Sequence, residues 1–362
     1  MSELLKDRFL TEESLQTFSD EIVKGYSEFS QTAFLNEVRS GDWNDLELKQ
    51  RMRRTTEVLH NYLPDSYKDA VKILMDIAPD VKGFETMVLP DYAEVYGMDF
   101  WEESRKALKC FTQYSSSEFG IRPFLNNDLD ASMKLMYECA EDKHENVRRF
   151  ASEGCRPRLP WAMAVPALKE NPEPTIPILD KLKDDPSEFV RRSVANHLND
   201  ISKDHPEIVL ELAKKWIGFS TERDRLIKHA LRTLLKAGNP RAMILFGFAD
   251  PSNLEIESLR PVDDVVKIGN ETHIMFDLIV KENEKTKVRL EYAVYYVKAN
   301  GKVSKKVFKI SENEYSAGSY SVKRKLSFKN MTTRKHYSGK HEIAIHVNGV
   351  EKGRTSIELT MG

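Results

Sequence analysis

Arginine is concentrated where this 362-residue chain repeats itself. The segment His144-Glu145-Asn146-Val147-Arg148-Arg149 returns 43 residues later as Ser187-Glu188-Phe189-Val190-Arg191-Arg192. Between the copies runs Arg156-Pro157-Arg158-Leu159-Pro160-Trp161, and the second copy leads into Asn196-His197-Leu198-Asn199-Asp200. A guanidinium grips phosphate through two parallel hydrogen bonds, so a stacked row of Arg148, Arg149, Arg191 and Arg192, with Arg156 and Arg158 beside it, suits a polyanion. One arginine of each pair is as readily spent on acidic neighbours. Glu118 holds the place of Glu145 and Glu188 in a similar string, Ser117-Glu118-Phe119-Gly120-Ile121-Arg122-Pro123-Phe124. Its simplest role is a first-turn acid facing a helix dipole. Asp200 shares a helix face with Asn196 at i, i+4, a polar patch two turns or more into its helix. Trp161 follows two prolines that deny a regular helix; such an indole either seals a core or offers a surface to a flat or cationic ring.

A repeat of this length is the signature of stacked helical hairpins. From Thr11 to about Phe248 the apolar spacing is helical, with breakers every 15 to 25 residues. Thr11 and Ser187 read as N-caps, helices are expected over Pro206 to Trp216 and Glu222 to Lys236, and Gly238-Asn239-Pro240 reads as a helix stop. After Pro251-Ser252-Asn253 the period changes to two. Ile274, Phe276, Leu278 and Val280 alternate with other residues, as do Leu290, Tyr292, Val294 and Tyr296, then Ile343, Ile345 and Val347. Asn300-Gly301 and Asn348-Gly349 are hairpin signals. The expectation is a mainly α protein: a helical solenoid over residues 1–253, then a small all-β immunoglobulin-like sandwich of about seven strands over 258–362.

Net charge is only −2, but its distribution is uneven. Residues 1–255 hold 35 Lys and Arg against 44 Asp and Glu, whereas 256–362 hold 20 against 13. A basic tail on an acidic body permits polyanion binding by the tail, with Lys305 and Lys306 among its cations. Cys110, Cys139 and Cys155 have neither disulfide nor zinc spacing, and His144, His197, His205 and His229 make no ligand pair, so no metal is expected. The N-terminus is charged where a signal peptide is apolar, and no run approaches the ~20 residues that span a bilayer. No GxxxxGK[ST], GxGxxG or GxSxG string occurs, which argues against nucleotide hydrolysis, dinucleotide redox and serine-hydrolase chemistry.

The strings Arg156 to Trp161, Pro186-Ser187-Glu188-Phe189-Val190-Arg191-Arg192-Ser193-Val194-Ala195 onward to Asp200, and Glu118 to Phe124 resemble the AlkC group of DNA alkylation-repair glycosylases over most of the chain. That resemblance implies a HEAT-like solenoid joined to an immunoglobulin-like domain, and excision of cationic N3-methylated bases, 3-methyladenine and 3-methylcytosine, without base flipping. It maps the active-site groups onto Glu118, Trp161 and Asp200. Methylation makes the base a good leaving group, so carboxylates at Glu118 and Asp200 would stabilise the sugar cation and place a water while Trp161 packs on the nucleotide. The arginine row, Lys305 and Lys306 would hold phosphates. The expected partner is duplex DNA with alkylated bases, met by a cytoplasmic, nucleoid-associated monomer without a cofactor. A non-catalytic helical scaffold binding DNA or protein is the competing expectation.

Overall fold

In the computed structural model, residues 9–330 and 335–361 are described. Sixteen α-helices precede eight strands among them. The first six are α1 (Glu12–Gly25), α2 (Gln31–Val38), α3 (Leu48–His60), α4 (Tyr67–Ile77), α5 (Val88–Tyr96) and α6 (Trp101–Phe111). Next come α7 (Arg122–Asn127), α8 (Leu129–Cys139), α9 (Glu145–Glu153), α10 (Pro166–Glu170), α11 (Ile176–Leu182) and α12 (Glu188–Ile201). The last are α13 (Pro206–Trp216), α14 (Thr221–Ala230), α15 (Arg232–Ala237) and α16 (Pro240–Ile244). No helix among the described residues is long and apolar enough to cross a membrane.

Thr11 caps α1, its Oγ1 accepting from the Ser14 backbone N–H at 3.2 Å. Ser187 stands at the N-cap of α12 but turns its hydroxyl to Glu145, so the side-chain cap expected there is absent. The helix expected over Glu222 to Lys236 is broken at Leu231, a turn whose side chain is fully buried. Gly238 ends α15 in the left-handed conformation and Asn239 caps α16 at once. Helices α9, α12 and α14 pack one against the next, and they carry the repeated Glu-x-x-Arg pattern.

The strands are β1 (Leu254–Pro261), β2 (Val265–Lys267), β3 (Glu271–Val280), β4 (Thr286–Val297), β5 (Val303–Tyr315), β6 (Gly318–Ser327), β7 (Gly339–Val347) and β8 (Val350–Thr360). They form a three-stranded sheet, β1-β3-β6, and a five-stranded sheet, β2-β8-β7-β4-β5. Eight strands replace the seven expected, because the stretch after Pro251 supplies two. Ile274, Phe276, Leu278 and Val280 share a core with Val288, Leu290, Val294, Ile343, Ile345 and Val347, so the period-two reading gave the buried face correctly. Chain contacts cluster residues up to Val209 with Gly218–Ala230 in one compact unit, and Leu210–Ile217 with Leu231–Gly362 in a second.

The β7–β8 turn has positive φ at both Asn348 and Gly349, as a type I′ hairpin requires. A Cβ on Gly349 would collide with the Gly238 carbonyl. Gly349→Ala is therefore expected to lower stability by more than about 1 kcal/mol, read from the urea midpoint; an unchanged midpoint would show that this turn opens freely.

Candidate active site

Glu118 does not sit in a helix first turn. It lies in the turn before α7, and the next residue but one, Gly120, is pressed so closely on the Pro90 carbonyl that any Cβ would clash. Glu118 is only 8% exposed. Its Oε1 faces Arg149 Nη1 at 3.5 Å, while Oε2 is buried without a hydrogen bond. Burial pushes this carboxyl above its ordinary range, with Arg149 partly opposing the shift.

From Glu118 a chain of alternating charges leads to Asp200. Arg149 Nη2 lies 3.5 Å from Glu153 Oε1, which accepts from Arg156 Nη1 at 2.6 Å. Arg156 Nε then donates to Asp200 Oδ2 at 2.8 Å, with Nη2 also 2.8 Å from that oxygen. The Ser193 hydroxyl donates to Glu153 Oε2 at 2.6 Å, and Lys203 Nζ to Asp200 Oδ1 at 3.1 Å. Asp200 is 2% exposed, covered by Arg156 and Lys203. Arg156, itself buried, is spent on Glu153 and Asp200 and is not available to a phosphate. Glu153 was missed in the sequence, although its place four residues after Arg149 and three before Arg156 puts it on their face.

Trp161 is the exposed member of the set, 71% accessible. The core-aromatic alternative is thereby removed. Its φ is +65°, rare for a bulky residue and sustained only where the surroundings impose it. The ties are visible on both sides of the indole. Arg122, fully buried, donates from Nη1 to the carbonyls of Gly154 (2.9 Å) and Arg156 (2.6 Å) and from Nε to that of Met163 (2.8 Å). Asn126 holds the Ala164 carbonyl at 3.0 Å, and Lys49 on α3 holds the Trp161 carbonyl itself at 2.6 Å. Among the described residues Arg122 reaches no carboxylate, and burial lowers its pKa to about 10. The resemblance strings contained Arg122 but gave it no role; the structure makes it the clasp of the tryptophan loop.

The repeated arginines divide by position. The first of each pair closes the loop before its own helix: Arg148 Nη1 donates to the carbonyls of Asp142 and Lys143 at 3.0 and 2.9 Å, and Arg191 Nη1 to those of Asp185 and Pro186 at 2.5 and 3.0 Å. Arg148 also forms a two-point pair with Asp185, at 2.6 and 3.0 Å. Arg158 pairs likewise with Asp204, at 2.9 and 2.7 Å. Arg148, Arg158 and Arg191 thus do structural work, and the reading of one continuous phosphate row is corrected. The second of each pair flanks the Phe189 ring, Arg149 at 4.7 Å and Arg192 at 5.8 Å. Only Arg192 remains exposed and without an ion pair. In the β unit Lys305 lies 5.6 Å over the Tyr295 ring and 3.3 Å from His346 Nε2, whereas Lys306 is exposed on the edge strand β5.

His197 underpins the site, its Nδ1 donating to the Ser152 carbonyl at 2.8 Å between α12 and α9. Complete burial lowers its pKa from 6.5 to about 3. Its contribution to stability is therefore full above pH 6.5 and is lost as pH falls toward 3, at up to about 1.4 kcal/mol per pH unit. Urea unfolding should show His197→Asn less sensitive to acid than the native chain across this window. Equal sensitivity would mean that the buried ring is not what titrates.

A family model described as the uncharacterised protein YhaZ, C-terminal Ig-like domain, matches residues 255–361. The chain is 44% identical over 349 residues to the uncharacterized protein YhaZ of Bacillus subtilis (strain 168), covering 96% of this chain and 97% of that one. It is also similar to a solved structure, the Pseudomonas fluorescens alkylpurine DNA glycosylase AlkC bound to DNA containing an abasic site analog. There the TM-score is 0.79 at 38% identity, covering 99% of this chain and 100% of that chain.

Proposed function

This chain belongs to the family of YhaZ and the alkylpurine DNA glycosylase AlkC, and from that premise we propose that it excises cationic N3-methylated bases, 3-methyladenine and 3-methylcytosine, from duplex DNA without flipping them. The observation that carries the reading is the charge chain from Glu118 to Asp200 in a unit that also holds the exposed, clamped Trp161. Methylation leaves the base positively charged, so the C1′–N bond breaks with its electron pair passing to the base and no general acid is needed. The oxocarbenium-like sugar that forms is stabilised by carboxylate charge. A water oxygen then bonds to C1′ and gives its proton to a carboxylate.

Glu118 is the better acceptor of that proton. Its raised pKa makes it a stronger base than an ordinary glutamate, and its Oε2 has no protein partner to displace. Asp200 supplies charge, and Lys203, the more exposed of its two cations, is the group that yields if a sugar is to approach Oδ1. Trp161 packs on the nucleotide. Arg192 and Lys306 hold phosphates, and the β unit grips the duplex. Because water is the nucleophile, the reaction is monofunctional and leaves an intact strand with an abasic site.

The covering of Asp200 favours a second reading, a DNA-binding member that has lost catalysis. Single-turnover base release measured against pH separates the two. The rate should rise with pH through an apparent pKa above the ordinary glutamate range, since Glu118 must be deprotonated, and strands should stay uncut before alkali. A rate independent of pH would remove Glu118 as base, and absence of release would favour the second reading.

A further inference from the structure

We infer that the groove between α12 and α14 is a phosphate-binding site for the DNA backbone, built by Arg192, Arg225 and His229 one repeat beyond the Glu118–Asp200 chain. The inference rests on the reading that this chain binds duplex DNA. Its starting point is a third copy of the repeat. Glu222 and Arg225 stand on α14 as Glu188 and Arg191 stand on α12, and Glu145 and Arg148 on α9. In the first two copies this arginine is consumed by the carbonyls of the loop before its helix. In the third, that loop is closed by other means: Asp224 Oδ1 accepts from the Gly218 N–H at 2.8 Å, and Arg223 pairs with Asp184. Arg225 is released from the structural duty of its counterparts.

Among the described residues Arg225 makes no hydrogen bond or ion pair, and Arg192 touches only the Phe189 ring. Both are exposed and both line one cavity of about 140 Å³, together with Glu188, Arg191, Ala195, Glu222 and His229. His229 follows Arg225 by one turn and so shares its face. Ala195 takes the corresponding place one turn after Arg191, where a small side chain leaves the groove open. Two acids, Glu188 and Glu222, face the same space, yet neither forms an ion pair with Arg192 or Arg225. Three arginines against two glutamates leave a cationic site too small to enclose a nucleoside. Two unpaired guanidinium forks on neighbouring helices match a phosphodiester, which accepts such forks in pairs.

Duplex binding by the full chain, followed by anisotropy across a salt series, tests this. Each phosphate neutralised contributes about 0.9 to the slope of log K against log salt, so Arg192→Gln with Arg225→Gln should flatten the slope by about 1 and weaken binding about tenfold at low salt. Arg225→Lys, which keeps the charge, should retain the native slope. A native slope in the folded double variant would overturn the site while leaving the proposed function standing. If the native chain has no affinity for duplex, both fall together.

Discussion

Glu118→Gln and Asp200→Asn are each expected to slow single-turnover release of methylated base by about 10²- to 10³-fold, the usual cost of removing one group that stabilises developing charge. Duplex affinity should change little, because neither carboxylate contacts phosphate in the proposed mechanism. The two variants should differ in pH behaviour. Glu118→Gln removes the rise of rate with pH, whereas Asp200→Asn lowers the rate and keeps the rise. Glu118→Gln should also leave the fold more stable at neutral pH, since burial raises the proton affinity of this group and its charged form is the costly one. That gain is absent at a pH below the ordinary glutamate range, where the carboxyl is protonated in folded and unfolded chains alike. Native rates in both variants would dismiss these roles.

Arg156→Met is expected to destabilise the chain by about 3–5 kcal/mol, because Glu153 and Asp200, each nearly inaccessible, lose the cation they share and keep only Arg149 at 3.5 Å and Lys203 at 3.1 Å. Adding Asp200→Asn should recover part of that loss, since a buried charge that has lost its closer partner is then removed as well. Denaturant unfolding of the two single variants and the double variant gives the coupling directly. A cost below about 1 kcal/mol for Arg156→Met would show that the pair is open to water, and with it that Asp200 is reachable without displacing its cover.

Periodicity made the helical body and the β tail legible. It also gave the inward face of β3, β4 and β7, because a strand buried on one face leaves a period of two that no other element imitates. The two prolines before Trp161 announced an irregular loop, and the loop is there. What could not be read was how each charge is spent. Arg156 meets Asp200 across 44 residues, a contact set by how α9 and α12 stack. Arg148 and Arg191 looked like phosphate forks because their carbonyl partners lie in loops whose course no side-chain pattern records. Glu153 was within reach, since helical spacing alone aligns it with Arg149 and Arg156. Arg225 was hidden by an altered repeat length, 34 residues after Arg191 in place of the 43 that separate Arg191 from Arg148.

The arginines described above serve two ends, most of them holding carboxylates and loops in place and a few, such as Arg192 and Arg225, left without an ion pair. The claim that the carboxylates so held act on a sugar is tested by incubating the full chain with methylated duplex and measuring free base by chromatography and mass spectrometry. Time-dependent release of 3-methyladenine and 3-methylcytosine, matched by alkali-labile sites in strands otherwise intact, is the predicted result. A chain that binds this duplex tightly yet frees no base at large molar excess would contradict it.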